Sequence, residues 1–535
     1  MPDNSKIVLF DTTLRDGSQT SGVHFSVEDK IKLSRELDAM GFEYIEGGWP
    51  GSNPKDIRYF EEMKKVKLKY SKLSSFSSTR LKNTRPEKDR ILSELLRVET
   101  PVFTLFGKSW DLHVKEAIGT SLEENLRMIH STVEFLKPRC DEIVYDAEHF
   151  FDGFKANPEY ATQTIKAASS AGADWIVLAD TNGGALPEEI RAAFKAALAV
   201  IDKPIGIHTH DDGGLSLANT LVAVELGAKM VQGTINGLGE RCGNANLCSI
   251  IPTLSLKMGY ETLAPEKIAD LTRLSWLVSE LSNKPHQENL PYVGDRAYTH
   301  KGGIHVSAVR KNPRLYEHLS PELIGNRRKV PVSDQAGKSN ILQKANDLGM
   351  KIEDAHAKTI VAKVKELESQ GYHFEGADAS FELLSDDLTG KRQEFFKVHG
   401  FRVHTWENDR GEIWSEATIK ISVPDIVAGE SGHSSAVEHT AAEGAGPVDA
   451  MDRALHKALE NFYPSIRVIR LTDFKVRILD EEAGTKAVTR VLINSTDGHL
   501  HWGTVGVSQN IIEASWRALV ESIEFKLKKH EEALK

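Results

Sequence analysis

The chain has 535 residues, far past the roughly 250 beyond which one hydrophobic core usually divides, so two or three domains are expected. Hydrophobic residues make up 40% and charged residues 27%, a balance that excludes wholesale disorder. Sixty-seven basic against 77 acidic side chains leave a formal charge of -10, which excludes a general attraction to nucleic acid or anionic lipid; a phosphate-bearing ligand then needs a local basic patch.

The N-terminal stretch MPDNSKIVLFDTTLRDG carries no basic leader with an apolar core, and no apolar run is long enough to span a bilayer, so a cytoplasmic protein is expected. Eight short β-branched and apolar runs follow, at 7–11, 44–48, 72–76, 102–106, 142–146, 175–179, 205–209 and 230–234, each trailed by helical periodicity. Eight strands alternating with helices predict an α/β fold, a closed (β/α)8 TIM barrel over 1–270, in preference to an open doubly wound sheet. Residues 271–394 read as helical connector subdomains with a basic turn, Gly325 to Lys329. From about 395 to 535 strands return in a C-terminal α+β domain with an internal duplication, Ala450-Met-Asp-Arg453-Ala454-Leu455 matching Ala514-Ser-Trp-Arg517-Ala518-Leu519. Cys140, Cys242 and Cys248 form no Cys-x-x-Cys pair, which argues against a disulfide framework and a thiolate zinc site.

Parallel barrels work at the carboxyl ends of their strands, and here those ends are crowded with ligand-type residues. The first run ends in Asp11-Thr12-Thr13-Leu14-Arg15-Asp16-Gly17, the second in Glu46-Gly47-Gly48-Trp49, the fifth in Asp146-Ala147-Glu148-His149 and the sixth in Asp180-Thr181-Asn182. The seventh supplies His208-Thr209-His210, and the eighth leads to Asn244. Side chains two apart on a strand share a face, so His208 and His210 point the same way and can share a metal. Two imidazoles, the Asp16 carboxylate and the Asn244 carbonyl suit zinc, manganese, cobalt, iron or magnesium. Such an ion can chelate an α-keto acid and polarise its ketone, with Arg15 stabilising the developing alkoxide or else bridging to Glu46 or Asp16. Thr181 offers a hydroxyl to the substrate carboxylate or serves the turn; Glu148 takes or relays a proton, or pairs with Arg15.

Leu14-Arg15-Asp16-Gly17-Ser18-Gln19 with Lys30 resembles the first signature of the isopropylmalate, homocitrate and citramalate synthase family, and the stretch from Gly233 through Gly239 to Gly243-Asn244-Ala245 resembles the second. Ile205-Gly206-Ile207-His208-Thr209-His210-Asp211-Asp212 is similar to the metal segment of the wider superfamily that includes hydroxymethylglutaryl-CoA lyase. The resemblance implies a divalent metal (Mn, Mg, Zn or Co) on Asp16, His208 and His210 with Asn244 nearby, acetyl-CoA as cosubstrate and a 2-oxo acid acceptor. It implies that Arg15 polarises the ketone and Thr181 holds the carboxylate. The stretch from Thr299 to His305 resembles the family segment that sends a catalytic histidine into a neighbouring subunit's barrel, so His305 becomes an acid/base candidate with Tyr316 as an accompanying hydroxyl. The segment Glu443 to Ala450 is similar to the family's regulatory domain, which implies a homodimer and a branched-chain amino-acid effector, isoleucine or leucine.

Segments around Glu46, Phe106 and Tyr145 look most like the citramalate branch, which implies pyruvate as acceptor and isoleucine as effector. Glu46, Asp146 and Phe106 are placed in the acceptor pocket, with Leu105 and Trp49 as further filling, because rejecting a larger substituent is worth only about 1–3 kcal/mol per methylene and depends on such filling. Arg327, Arg328 and Lys329, or Arg310 with Lys311, are candidates for the CoA phosphates. The isopropylmalate branch is the nearest alternative; a metal hydrolase barrel, a lyase running the reverse cleavage and a non-catalytic amino-acid sensor are rivals of other kinds.

Overall fold

The computed structural model describes residues 6–331, 337–407, 409–431, 436–480, 484 and 486–534; residues 1–5, part of the N-terminal stretch read above, lie outside them. The eight expected runs are strands: β1 (Val8–Asp11), β2 (Tyr44–Gly48), β3 (Lys72–Ser78), β4 (Val102–Lys108), β5 (Glu142–Glu148), β6 (Trp175–Asp180), β7 (Ile205–Thr209) and β8 (Met230–Gly233). Each pairs in parallel with the next, and β8 pairs with β1 from Val8↔Met230 to Asp11↔Gly233, which closes the barrel. Closure leaves no strand edge unpaired.

The pleat sends alternate residues to opposite faces, and the two faces have different jobs. Outward-facing Leu9, Ile143, Ile176, Ile207 and Val231 are fully buried beneath the surrounding helices. Leu105 belongs to this outer set, packed against the helices, so its expected place beside the acceptor is corrected. Inward-facing Phe10, Tyr44, Val102, Val144, Val177 and Met230 form a separate apolar plug inside the barrel. One pleat further along the same inner columns, Tyr44 gives way to Glu46, Val144 to Asp146 and Met230 to Gln232. On β7 the plug position is Gly206, where a Cβ would stand 3.0 Å from Val177 and 3.2 Å from Met230, and the next inward residue is His208. The barrel interior therefore turns from apolar to polar at its carboxyl end, which is where the signature residues lie.

A buried ion pair fixes the turn after β2. Lys30, on the helix Val27–Met40, is 1% exposed and donates to Asp56 Oδ1 at 2.6 Å and to the Gly47 carbonyl at 2.9 Å. Asp56 Oδ2 in turn accepts from the Trp49 amide at 3.0 Å. Gly48 has to be glycine here, since a Cβ would fall 2.5 Å from the Asp56 carboxyl carbon.

Contacts divide the chain into two units, Met1–Tyr298 with Leu319–Arg328 and Thr299–His318 with Lys329–Lys535. In the first, the helix Leu271–Leu281 packs on the barrel, and Asn236 Nδ2 donates to the Ser275 carbonyl at 2.8 Å. The second holds two three-stranded antiparallel sheets, β9 (Lys397–Glu407), β10 (Ile413–Ser422) and β11 (Val437–Gly444), then β12 (Arg470–Ile478), β13 (Thr489–Thr496) and β14 (His501–Ser508). Each sheet is followed by one helix, Pro447–Leu459 and Ile511–Leu534, and in each repeat a strand glycine, Gly444 or Gly506, lies where a Cβ would collide with the helix at Ala450 or Ala514. The matched hexamers thus mark the same packing contact twice. Helices over 338–388 share a core with β14 through Ile341, Ile360, Phe374, Phe381, Val505 and Val507. Among the described residues no helix is long and apolar enough to cross a membrane.

Removing Lys30 strands a buried carboxylate, and breaking such a pair costs about 3–5 kcal/mol. Lys30→Met is expected to lower the urea midpoint of the barrel transition accordingly, with the companion change Asp56→Asn recovering part of the loss; an unchanged midpoint would show that the pair does not hold this turn.

Candidate metal centre and active site

The alternation argument places His208 and His210 on one face, and their ring centroids stand 5.2 Å apart. Across the barrel mouth Asp16 reaches both: its Oδ2 lies 3.4 Å from His208 Nε2 and 3.8 Å from His210 Nε2. Donor atoms of all three fall within 4.8 Å of one another, and all three residues are buried. An antiparallel bridge between His210 and Asn244 sets Asn244 beside the pair.

Gln232 settles which histidine nitrogen faces this centre. Its Oε1 lies 2.9 Å from His208 Nδ1, and its Nε2 donates to Asp146 Oδ1 at 3.0 Å. A carbonyl oxygen only accepts, so Nδ1 carries the proton and the Nε2 lone pair is turned toward Asp16. Burial lowers the pKa of His208, and burial with the neighbouring His208 lowers that of His210 to about 4, so both rings are neutral donors near neutral pH.

Arg15 brings a guanidinium into direct contact with Asp16 and Glu46. Nε donates to Glu46 Oε2 at 2.6 Å, Nη1 lies 3.1 Å from Asp16 Oδ2, and the group stacks 3.8 Å over the Phe76 ring. Both ion pairs foreseen as alternatives for Arg15 therefore form together. Burial opposes its charge, but Glu46, Asp16 and Asp146 outweigh it and raise its pKa. Burial likewise opposes ionisation of Asp16, yet Arg15 and the two imidazoles hold its carboxyl below the ordinary range. Asp146 and Glu46 are pushed upward, chiefly by burial, Asp146 well above its usual value.

These atoms fit a divalent cation. Asp16, Glu46 and Asp146 are buried around the Arg15 guanidinium, Arg241 on the wall of the same cavity is taken up by Asp212, and the neutral imidazoles bring no compensating charge. A divalent cation between Asp16, His208 and His210 would answer that deficit of positive charge.

Thr181 Oγ1 accepts from the His149 amide at 2.9 Å, which leaves its own O–H to donate elsewhere. Glu148 forms an ion pair with Lys108, so the expected alternative of a Glu148–Arg15 pair is corrected: Arg15 is occupied by Glu46 and Asp16. A cavity of about 180 Å³ is lined by Arg15, Asp16, Trp49, Asp146, Glu148 and Thr181, with His208 and His210 on its wall. Trp49, Phe76 and Phe106 meet at ring separations of 5.1 to 5.7 Å and close one side. His305 and Tyr316, in the second unit, stack at 4.2 Å, and both are exposed.

Sequence reasoning missed Gln232, Phe76 and Arg241. The first two lie on inward-facing columns, so the same alternation that selected His208 pointed to them. Arg241, which donates to Asp212 Oδ1 at 2.7 Å and to the Thr181 carbonyl at 2.7 Å, ties the loop after β8 to the loop after β6 and left no signal in spacing.

An HMGL-like family model matches residues 6–275, a homocitrate synthase post-HMGL domain-like model 292–372, and a LeuA allosteric (dimerisation) domain model 375–527. The (R)-citramalate synthase of Aquifex aeolicus is 52% identical over 98% of this chain and 99% of its own length. That of Geobacter sulfurreducens is 51% identical over 99% of each. The chain belongs to the (R)-citramalate synthase family. By contrast, the 2-isopropylmalate synthase of Halalkalibacterium halodurans is 28% identical over 97% of the chain and 96% of its own length. Family membership over nearly the full length sets aside the hydrolase and sensor readings.

Gln232→Leu removes the acceptor for the His208 Nδ1 proton and is expected to weaken divalent-ion affinity about 10–100-fold. Titrating metal-stripped protein with Mn2+ measures this directly; unchanged affinity would mean that the ring is oriented by something else.

Proposed function

We propose that this chain joins acetyl-CoA to pyruvate, giving (R)-citramalate and CoA. The observation that carries the reading is the convergence of Asp16, His208, His210 and Arg15 on one small cavity, in a chain about half identical to (R)-citramalate synthases along its length. Asp16, His208 and His210, with Asn244 beside them, would hold a divalent ion, which would supply Lewis-acid polarisation of the acceptor's ketone. Arg15, fixed by Glu46, Asp16 and the Phe76 face, presents positive charge to the oxygen on which negative charge grows. Thr181 donates its hydroxyl to the acceptor's carboxylate. A base takes a methyl proton from acetyl-CoA, the resulting enolate carbon bonds to the ketone carbon, and water then cleaves the thioester to release CoA.

We assign the proton transfers first to His305 with Tyr316, contributed by a second copy of the chain, and second to Glu148. The exposed stacked pair supports this, as does the match of 375–527 to a dimerisation domain. The same match supports an amino-acid effector, which we take to be isoleucine, and three functional parts: barrel, connector and regulatory domain. A cytoplasmic setting follows from the same reading.

A cavity of about 180 Å³, under the ~300–1,000 Å³ of sites that enclose larger ligands and closed on one side by three aromatic rings, supports a small acceptor. Thiol release from acetyl-CoA, assayed with pyruvate, 2-oxobutyrate, 2-oxoisovalerate and 2-oxoglutarate, is expected to be fastest with pyruvate and lost with a chelator. If 2-oxoisovalerate were best, the chain would catalyse the other branch's reaction. Phe106→Ala is expected to shift kcat/KM toward 2-oxobutyrate over pyruvate by about tenfold, the order set by one methylene's worth of filling. His305→Ala is expected to lower kcat by about 10²–10⁴-fold with metal binding intact, and a smaller loss would move the role to Glu148.

A further inference from the structure

Thr181 is gripped by two residues with left-handed backbones. His149 (φ 56°), at the end of β5, donates its amide N–H to Thr181 Oγ1 at 2.9 Å. Arg241 (φ 54°), in the loop after β8, donates to the Thr181 carbonyl at 2.7 Å and holds both oxygens of Asp212. A residue other than glycine is uncommon in this region, because its Cβ crowds a carbonyl oxygen, and such residues persist where the surroundings over-determine them. Arg241 reaches Thr181 through its long side chain. His149 reaches it through the peptide itself, so there the backbone conformation is the contact.

The ring of His149 and the helix that follows keep it in place. The ring is buried, and its Nδ1 donates to Asp152 Oδ2 at 3.2 Å; the same oxygen accepts from Asn182 Nδ2 at 3.0 Å, which closes the clamp on the residue next to Thr181. The ring also packs on His113 with centroids 4.1 Å apart, and His113 stacks on Trp110. The helix Phe150–Ala156 is seated on the segment after β4, where a Cβ on Gly153 would fall 2.2 Å from the Ser109 carbonyl oxygen. Ser109 in turn donates its amide to the Glu148 carbonyl at 3.0 Å. The peptide joining Glu148 to His149 is therefore held at both its oxygen and its N–H.

A hydroxyl has one hydrogen and two lone pairs. With the His149 N–H on one lone pair of Thr181, the hydroxyl hydrogen points away from that amide, and Thr181 lines the acceptor cavity. We propose that His149 is a positioning residue: held left-handed by Asp152 and His113, its peptide N–H sets the direction of the Thr181 hydroxyl and with it the affinity for the acceptor's carboxylate. In this role the imidazole touches no substrate and moves no proton. The assignment rests on the condensing reaction proposed above, in which Thr181 holds that carboxylate.

Backbone preference, not imidazole chemistry, then ranks the variants of the full-length enzyme, since valine is strongly disfavoured at positive φ and glycine adopts it freely. His149→Val is expected to raise KM for pyruvate about tenfold, the effect of one charge-assisted hydrogen bond, with KM for acetyl-CoA and Mn2+ affinity within about twofold of the parent. His149→Ala, a milder change should the valine variant fail to fold, is expected to raise it about threefold, and His149→Gly and His149→Asn to bring it back to within about twofold. In a Thr181→Val background no hydroxyl is left to direct, so His149→Val is expected to add less than about twofold. A glycine variant as impaired as the valine or alanine variant would give the role to the imidazole, and full additivity with Thr181→Val would give it to another contact; either result overturns the proposal, as does an unchanged KM for pyruvate in His149→Val or His149→Ala. A parent enzyme that releases no thiol with pyruvate would instead overturn the reaction on which the assignment rests.

Discussion

The structure around the barrel mouth depends on a charge imbalance. Asp16, Glu46 and Asp146 are buried around the Arg15 guanidinium, Arg241 at the same cavity is held by Asp212, and the two imidazoles that approach Asp16 are neutral. Burying ionised groups is costly unless each is paired, so the arrangement is stable only with a further cation or with a carboxyl driven toward its neutral form. Asp146 shows the second response, its pKa raised by burial and by Glu46. Asp16 shows the opposite, its carboxyl held below the ordinary range chiefly by the Arg15 guanidinium. The carboxylate that stays charged is the one placed where a divalent ion fits.

Keeping that geometry requires support that reaches away from the donor atoms. Gln232 fixes the His208 tautomer and hydrogen-bonds Asp146 as well, so one amide braces both side chains. Glu46 and Phe76 hold Arg15 from its edge and its face. The Lys30–Asp56 pair sets the turn that carries Trp49, which stands against Phe76 and Phe106. The aromatic wall of the cavity is thus tied through a few contacts to an ion pair buried under the helix Val27–Met40.

The second unit follows a simpler rule. Each repeat of three antiparallel strands and one helix closes by the approach of the helix to a strand glycine, at Gly444 and at Gly506. A hexamer similarity of six residues survives because the small residues Ala450 and Ala514 are the ones that make this approach. The helices over 338–388 build a core of their own that β14 completes through Val505 and Val507.

The eight strands were legible because a barrel wall imposes both a period of two and an apolar outer face, and both are written in the order of residues. His208 and His210 were legible for the same reason, with Asp16 and Arg15 added by the signature around them. What the sequence could not supply was pairing across the barrel. Glu148 stood as close in reasoning to Arg15 as Glu46 did, yet Glu148 meets Lys108; Leu105 and Phe106 are neighbours in the chain, yet they face opposite sides of one strand. Parity along a strand is local and is carried by sequence; which residue of one strand faces which of another depends on register and closure. Those are set only when all eight strands meet, and so the partners of Arg15, the His208 tautomer and the contact of His149 with Thr181 were decided by the tertiary structure alone.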